Sequence, residues 1–177
     1  LIKVPISNAN ENQINIDATI LVNESSFSKV NGTIELNGAL RNRYSNYIKY
    51  TGIKSKDKVL QYIIRRYFDD FLMGQKGFSV SDDGTKMIVS FNGRLAGVNA
   101  LSTKDMLVYP NLGNDLRQFI KQDSIDYPVF VDNRFELNYN IKYQYSSGFQ
   151  VEDIPIAVGY SYKNEASTFE SKYRNVG

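Results

Sequence analysis

The residues best suited to chemistry lie in a basic segment, positions 41–66, in which tyrosines are interspersed with cations. Eight Lys and Arg side chains stand against one Asp there, which gives the segment a local charge of +7. The cations are Arg41, Arg43, Lys49, Lys54, Lys56, Lys58, Arg65 and Arg66. Cations beside aromatic rings could bind an anionic glycan or a single nucleic-acid strand, because the rings stack and the cations neutralise charge.

Within this segment the candidate ligand-binding residues are Arg41, Arg43, Tyr44, Tyr47, Lys49 and Tyr50. Two interpretations are open: these side chains form one binding surface, or they are a solvated helix face and loop. The second is preferred, because charge runs are usually solvated faces and the whole chain has a net charge of only +2. We therefore expect no nucleic-acid partner, and a glycan or protein ligand is the alternative.

Composition excludes several kinds of catalytic and metal site. The 177 residues include no Cys and no His. The chain therefore contains no thiolate metal site, no cysteine nucleophile, no Ser–His–Asp triad and no His-based zinc site. The run Asp82-Asp83-Gly84 lacks the spacing of an EF-hand and is interpreted as a hairpin turn. We expect a non-enzymatic chain with no catalytic residues, no metal site and no cofactor.

The elements that must position the basic segment are a hairpin before it and a helix within it. Residues 14–20 and 34–36 alternate apolar and polar side chains, which predicts two half-buried strands that pair. A turn is predicted between them, from Ser25 to Ser28 followed by Asn31-Gly32. Ser55 is a suitable N-cap and Gly74 a suitable C′ residue for a helix over 55–73. Its apolar residues recur at helical spacing, so we expect it to pack on the core.

The strongest strand pattern lies at 135–145, where apolar and polar residues alternate strictly. The predicted buried face consists of Phe135, Leu137, Tyr139, Ile141 and Tyr143. An exposed tyrosine ridge that stacks on sugar is the alternative. Further strands are predicted at 78–80, 86–91, 106–109, 149–154, 160–162 and 168–173.

These patterns predict an α+β, β-rich fold, with mostly antiparallel or β-sandwich-like sheets and one principal helix at about 55–73. We expect 1–177 to be a single β-rich module, with a sub-division near 111–126 as the alternative. No apolar run approaches the ~20 residues that a membrane span needs. The chain begins at Leu1 rather than Met, so we expect it to be a fragment of a longer protein.

The C-terminal third resembles a known family pattern. In order, it contains a Tyr-Pro-Val run within 126–131, the long strand at 135–145, the segment Val-Glu-Asp-Ile-Pro at 151–155 and a Ser-x-Phe-x-Ser-x-Tyr strand at 167–173. This order is similar to the β-rich domain of unknown function that follows a transglutaminase-like core in exported proteins of Gram-negative bacteria. The N-terminal order of strand, Asn-Gly turn, strand and helix resembles the start of the same module.

The resemblance implies a non-catalytic accessory domain of a larger exported transglutaminase-like or peptidase-like protein. It also implies a periplasmic, cell-surface or secreted location, and a neighbouring domain of the same parent chain as the partner. The family's Cys–His–Asp triad belongs to the preceding core and has no counterpart among these residues. The alternative function is a glycan-binding or surface-ligand module that uses the tyrosines and the basic segment.

Overall fold

The computed structural model describes residues 8–51, 53–101, 105–109, 135–145, 149–156, 158–161 and 168–174. The chain divides into two compact units, Leu1–Tyr145 and Ser146–Gly177. The division therefore falls after Tyr145, whereas the alternative boundary near 111–126 lies outside the described residues.

The described part of the first unit is rich in strands and contains two α-helices, as the β-rich α+β prediction requires. In chain order its elements are a 3₁₀ turn at Ala9–Glu11, β1 (Gln13–Val22), β2 (Phe27–Asn37), α1 (Gly38–Tyr50), α2 (Ile53–Tyr67), β3 (Phe71–Asp82), β4 (Lys86–Ala96), β5 (Asn99–Leu101), β6 (Met106–Val108) and β7 (Glu136–Tyr145). In the second unit, β8 (Val158–Ser161) and β9 (Thr168–Ser171) form an antiparallel pair.

One five-stranded sheet, in the order β3-β4-β2-β1-β7, organises the first unit. Neighbouring strands are antiparallel, except that β7 pairs in parallel with β1. The prediction of mostly antiparallel pairing is therefore confirmed. Strands β5 and β6 form a separate antiparallel pair.

The core lies where the apolar face of this sheet meets the buried faces of both helices. Ile14, Ile16, Ala18 and Ile20 of β1 are buried, which confirms the alternation predicted for residues 14–20. Burial of apolar surface on one face of each strand supplies most of the driving force for this arrangement.

The turn between β1 and β2 lies at 23–26, so it overlaps the predicted segment Ser25–Ser28 but does not include Asn31-Gly32. The Asn23 side chain accepts hydrogen bonds from the backbone N–H and the hydroxyl of Ser25, at 3.0 and 2.6 Å, and so closes the turn. Gly32 instead lies inside β2, between Ala18 and Phe91 of the neighbouring strands. A β-carbon at Gly32 would meet the Asp17 carbonyl, so this glycine permits close strand approach rather than a turn.

Helix α2 ends at Tyr67, six residues before the end predicted by the pattern over 55–73. Asp70 has a φ of 55°, which breaks the helix, and β3 begins at Phe71. The ring of Phe71 then packs edge-on against Phe91, with ring centroids 5.7 Å apart. The apolar residues after Tyr67 therefore belong to a strand, and Gly74 lies within β3 rather than at a helix C-terminus.

Helix α1 is a second helix that the sequence analysis did not predict. It begins at Gly38, whose φ is 61°. Its N-terminal cap comes from a residue far away in the chain, because the buried Asn12 side chain accepts a hydrogen bond from the Ala39 N–H at 2.8 Å. The adjacent Asn37 makes no side-chain cap, so the usual local start signal is missing.

Strand β7 has the facing predicted from its alternation. Leu137, Tyr139, Ile141 and Tyr143 pack half-buried against the core. Phe135 precedes the strand and is 38% exposed, so its predicted burial is wrong. The predicted strand at 149–154 is also absent from the structure, in which these residues are described but form no strand.

Candidate functional site

Helix α1 presents a tyrosine stripe, which we define as Arg43, Asn46, Tyr47 and Tyr50. Asn46 and Tyr47 follow Arg43 by three and four positions, and Tyr50 follows them by four and three, so the four side chains lie on neighbouring positions of the helix surface. With Thr51 they line a shallow, open depression. Thr51 still donates its N–H to the Tyr47 carbonyl at 2.9 Å, but its extended backbone (φ −85°, ψ 132°) ends the helix next to Tyr50. The residues that line the depression therefore all belong to α1, except Thr51, which directly follows the helix.

The two stripe tyrosines are among the most exposed aromatic side chains of the described residues. Tyr47 is 59% exposed and Tyr50 is 79% exposed. The Lys49 ammonium lies 5.8 Å from the centre of the Tyr50 ring, within the range of a cation–π contact. The stripe thus offers two aromatic faces with two cationic side chains nearby, which suits a ligand with both apolar and anionic groups.

Arg41 does not join the stripe, because it forms an ion pair with Asp82. Its Nε and Nη2 atoms donate to one Asp82 carboxylate oxygen at 2.9 and 2.6 Å. The Ser45 hydroxyl donates to the other oxygen at 2.7 Å. These contacts connect α1 to the end of β3, so the structure places the Arg41 guanidinium against Asp82 and not in the depression.

Tyr44 belongs to the core, unlike the exposed Tyr47 and Tyr50 of the same helix. It is only 2% exposed, and its hydroxyl accepts a hydrogen bond from Arg66 of α2 at 2.9 Å. Arg65 donates to the Phe71 carbonyl at 3.1 Å. Three cations of the basic segment therefore bond to other parts of the fold: Arg41 to Asp82, Arg65 to the Phe71 carbonyl and Arg66 to Tyr44.

A second polar surface, on the outer face of the sheet, was not singled out from the sequence. Asn138 donates to Asn15 at 3.0 Å, and Asn140 donates to Asp17 at 2.7 Å. Glu35 on the next strand forms an ion pair with Lys86 at 3.1 Å. The polar residues of each alternating strand can be recognised in the sequence. Only strand pairing brings those of different strands together.

The turn between β3 and β4 contains two carboxylates whose protonation affects stability. The Ser45 hydroxyl and Arg41 hold the pKa of Asp82 below its ordinary value. The Lys86 backbone N–H and the Thr85 hydroxyl and N–H lower the pKa of Asp83 from 3.8 to about 2. Both groups therefore stabilise the fold above pH 4, and this contribution is lost as the pH falls through the lowered pKa values.

We predict that Asp83→Asn is less stable than the parent protein above pH 4 and that the difference shrinks between pH 4 and pH 2. The reason is that protonation removes from the parent the same charge that the substitution removes. Urea unfolding at several pH values measures the difference. A difference that stays constant from pH 5 to pH 2 would contradict the assignment of Asp83 as an acceptor with a low pKa.

Within the described ranges, no group of three or more acidic side chains could hold a metal ion. No described helix is long and apolar enough to cross a membrane. No protein-family model matches the chain, and neither a curated protein nor a solved structure matches it. The resemblance to the domain that follows a transglutaminase-like core therefore stays a prediction.

Proposed function

We propose that this chain is a non-catalytic binding domain that captures an anionic glycan on the tyrosine stripe of α1. The observation that carries the proposal is the exposure of Tyr47 and Tyr50 along one helix face, with Arg43 lining the same depression and Lys49 against the second ring. Large exposed aromatic side chains on adjacent turns usually mark an interaction surface. The resemblance noted above adds that such a domain would accompany a catalytic core in an exported parent protein.

The chemistry of the stripe favours a sugar polymer with acidic groups over a neutral one. Tyrosine rings can stack on the apolar faces of sugar rings, while Arg and Lys bind carboxylate or sulfate groups. Asn46 adds an amide that can donate to and accept from sugar hydroxyls. A flat, open depression suits an extended ligand that lies along the helix rather than a small molecule that needs enclosure.

We expect heparin, as a test polymer, to bind with a clear salt dependence between roughly 50 and 200 mM salt, because each bound anion releases counterions. The double substitution Tyr47→Ala/Tyr50→Ala should weaken binding at least tenfold, since each ring contributes about 1 kcal/mol. Isothermal titration of the parent and the variant measures both effects.

Two control variants test whether binding depends on the tyrosine stripe itself or on any exposed tyrosine or positive charge. Tyr62 of α2 is 61% exposed but lies outside the depression, so Tyr62→Ala should leave binding unchanged. Lys58→Ala removes one exposed positive charge from α2 and should have less effect than Arg43→Ala. Equal losses in Tyr62→Ala and in the stripe variant, or no binding to any acidic polymer, would contradict the proposal.

A further inference from the structure

Two cationic side chains face each other on the outer face of the main sheet, which is the face turned away from both helices. Lys29 of β2 lies directly opposite Arg94 of β4 in the strand register, and both are exposed. Facing side chains have β-carbons about 4.5–5.5 Å apart, and like charges at such positions destabilise the strand pair. Among the described residues no carboxylate forms an ion pair with either cation, whereas Glu35 on the same face pairs with Lys86 at 3.1 Å. The fold therefore retains an unfavourable charge pair at an exposed position, and departures of this kind are typical of functional sites.

An exposed leucine flanks the two cations on each side, so that one row crosses four neighbouring strands. Leu72 of β3 lies opposite Arg94, and Leu21 of β1 lies opposite Lys29. Leu72 is 44% exposed and Leu21 is 38% exposed. We call these four residues, Leu72, Arg94, Lys29 and Leu21, the cationic row. Its order is apolar, cationic, cationic, apolar, so a complementary ligand has an anionic group between two apolar groups.

The spacing of the cationic row matches that of side chains along an extended peptide. Neighbouring strands lie about 4.8 Å apart, so the three gaps between Leu72 and Leu21 add up to about 14 Å. In an extended peptide every second side chain points to the same side, and a rise of about 3.3 Å per residue places positions i and i+4 about 13 Å apart. Apolar side chains at i and i+4 can therefore each meet one leucine, while an acidic side chain at i+2 lies between Arg94 and Lys29.

We propose that the cationic row is a docking surface for an extended acidic peptide that crosses the strands, with one carboxylate between the two cations and one apolar side chain on each leucine. Arg94 and Lys29 donate charge-assisted hydrogen bonds to the carboxylate, which also relieves their mutual repulsion. Asn31 follows Lys29 by two positions and is exposed on the same face, so its amide can bond to the peptide backbone. The row lies on the face opposite to α1, so this proposal is independent of the glycan-binding function.

The geometry of the row favours a peptide over an anionic membrane. Lys and Arg side chains extend farther from a sheet than Leu side chains do, so a flat lipid surface meets the two charges before either leucine reaches hydrocarbon. Membrane contact requires the apolar side chains to be buried about 5–10 Å into the interface. A peptide instead brings its own apolar side chains down to the leucines.

The probe is a fluorescein-labelled peptide with the sequence Gly-Leu-Thr-Glu-Thr-Leu-Gly, and fluorescence anisotropy measures its binding to the parent protein. We expect saturable binding that weakens at least tenfold when Lys replaces the central Glu, because the peptide then brings a third cation to the row. A second control peptide, Gly-Thr-Leu-Glu-Leu-Thr-Gly, has the same composition but the wrong spacing of its leucines, and it should also bind more weakly.

Charge variants of the protein separate recognition from folding. Lys29→Glu should weaken probe binding at least tenfold and yet raise the melting temperature, because the new carboxylate faces Arg94. The double variant Lys29→Glu/Arg94→Glu should bind the Lys-centred peptide and reject the Glu-centred one. Lys58→Glu on α2 makes the same change in net charge as Lys29→Glu at another exposed position and should leave binding unchanged.

The leucines are tested in the same assay. Leu21→Ala and Leu72→Ala should each weaken probe binding severalfold, whereas Tyr62→Ala removes an exposed apolar group from α2 and should have no effect. Equal binding of the Glu-centred and Lys-centred peptides to the parent, full binding to Lys29→Glu, or no binding of the probe to the parent would overturn the proposal. Co-sedimentation of the parent with phosphatidylglycerol vesicles, lost in Lys29→Glu and without probe binding, would assign the row to a membrane surface and would equally overturn it.

Discussion

Replacing Phe68 with Ala should lower the free energy of unfolding by about 3–5 kcal/mol, the usual cost of truncating a fully buried Phe. Phe68 has no exposed surface, and its ring centroid lies 5.1 Å from that of Phe91 on β4. The residue directly follows α2, and its N–H still bonds to the Ile64 carbonyl at 2.9 Å. The substitution would therefore leave a cavity where the end of the helix meets the sheet.

The matched control is Tyr62→Ala, which truncates an aromatic residue on the exposed side of the same helix. Tyr62 is 61% exposed, so the expected change is within about 0.5 kcal/mol. Urea unfolding followed by circular dichroism measures both variants. If Phe68→Ala costs no more than Tyr62→Ala, the apolar face of α2 is not part of the core.

Replacing Gly32 with Val should destabilise the fold by about 3 kcal/mol, although strand propensity favours Val over Gly. A β-carbon at position 32 would contact the Asp17 carbonyl oxygen and lie 3.0 Å from both Cα and Cβ of Ala18. These atoms belong to the central strand β1, whose backbone is held by β2 on one side and β7 on the other. The strands would have to separate, and the lost pairing outweighs the gain in propensity.

Asn31→Val tests propensity without this close contact. Asn31 is the preceding residue of β2 and is exposed, so a branched side chain there meets no crowded backbone. We expect a change within about 0.5 kcal/mol for this variant. Thermal unfolding of both variants decides the matter, and a Gly32→Val protein as stable as Asn31→Val would show that β1 and β2 do not approach as closely as the structure indicates.

The helix pattern shows where local sequence information is insufficient. Apolar residues continue past Tyr67 at spacings that fit a helix, yet Phe71 belongs to β3. The strand wins there because β3 can pair with β4, and because the Phe71 ring fits against Phe91. Neither interaction is visible in a window of helical length. The start of α1 was missed for the same reason, since its cap comes from Asn12 and not from the residue before it.

In the candidate site, too, local sequence information was insufficient and tertiary contacts decided the outcome. Tyr44, Tyr47 and Tyr50 are equivalent in the sequence, as are Arg41 and Arg43 within the basic segment. The structure gives them different surroundings, because the Arg41 guanidinium pairs with Asp82 and the buried Tyr44 hydroxyl accepts a hydrogen bond from Arg66. Only the residues that no distant element covers, Tyr47 and Tyr50, remain as exposed aromatic faces.

The sequence by itself determined the strand-rich fold class, the buried faces of β1 and β7, and the exclusion of Cys- and His-dependent chemistry within this chain. Alternation with a period of two and the presence of a residue type are both properties that can be read within a few consecutive positions. Tertiary structure alone decided where α2 ends, why Gly32 is needed, and which tyrosines of α1 are exposed. Each of these outcomes depends on a residue that strand pairing or helix packing brings close from a distant part of the chain, and the free energy of such a contact is absent until the fold has formed.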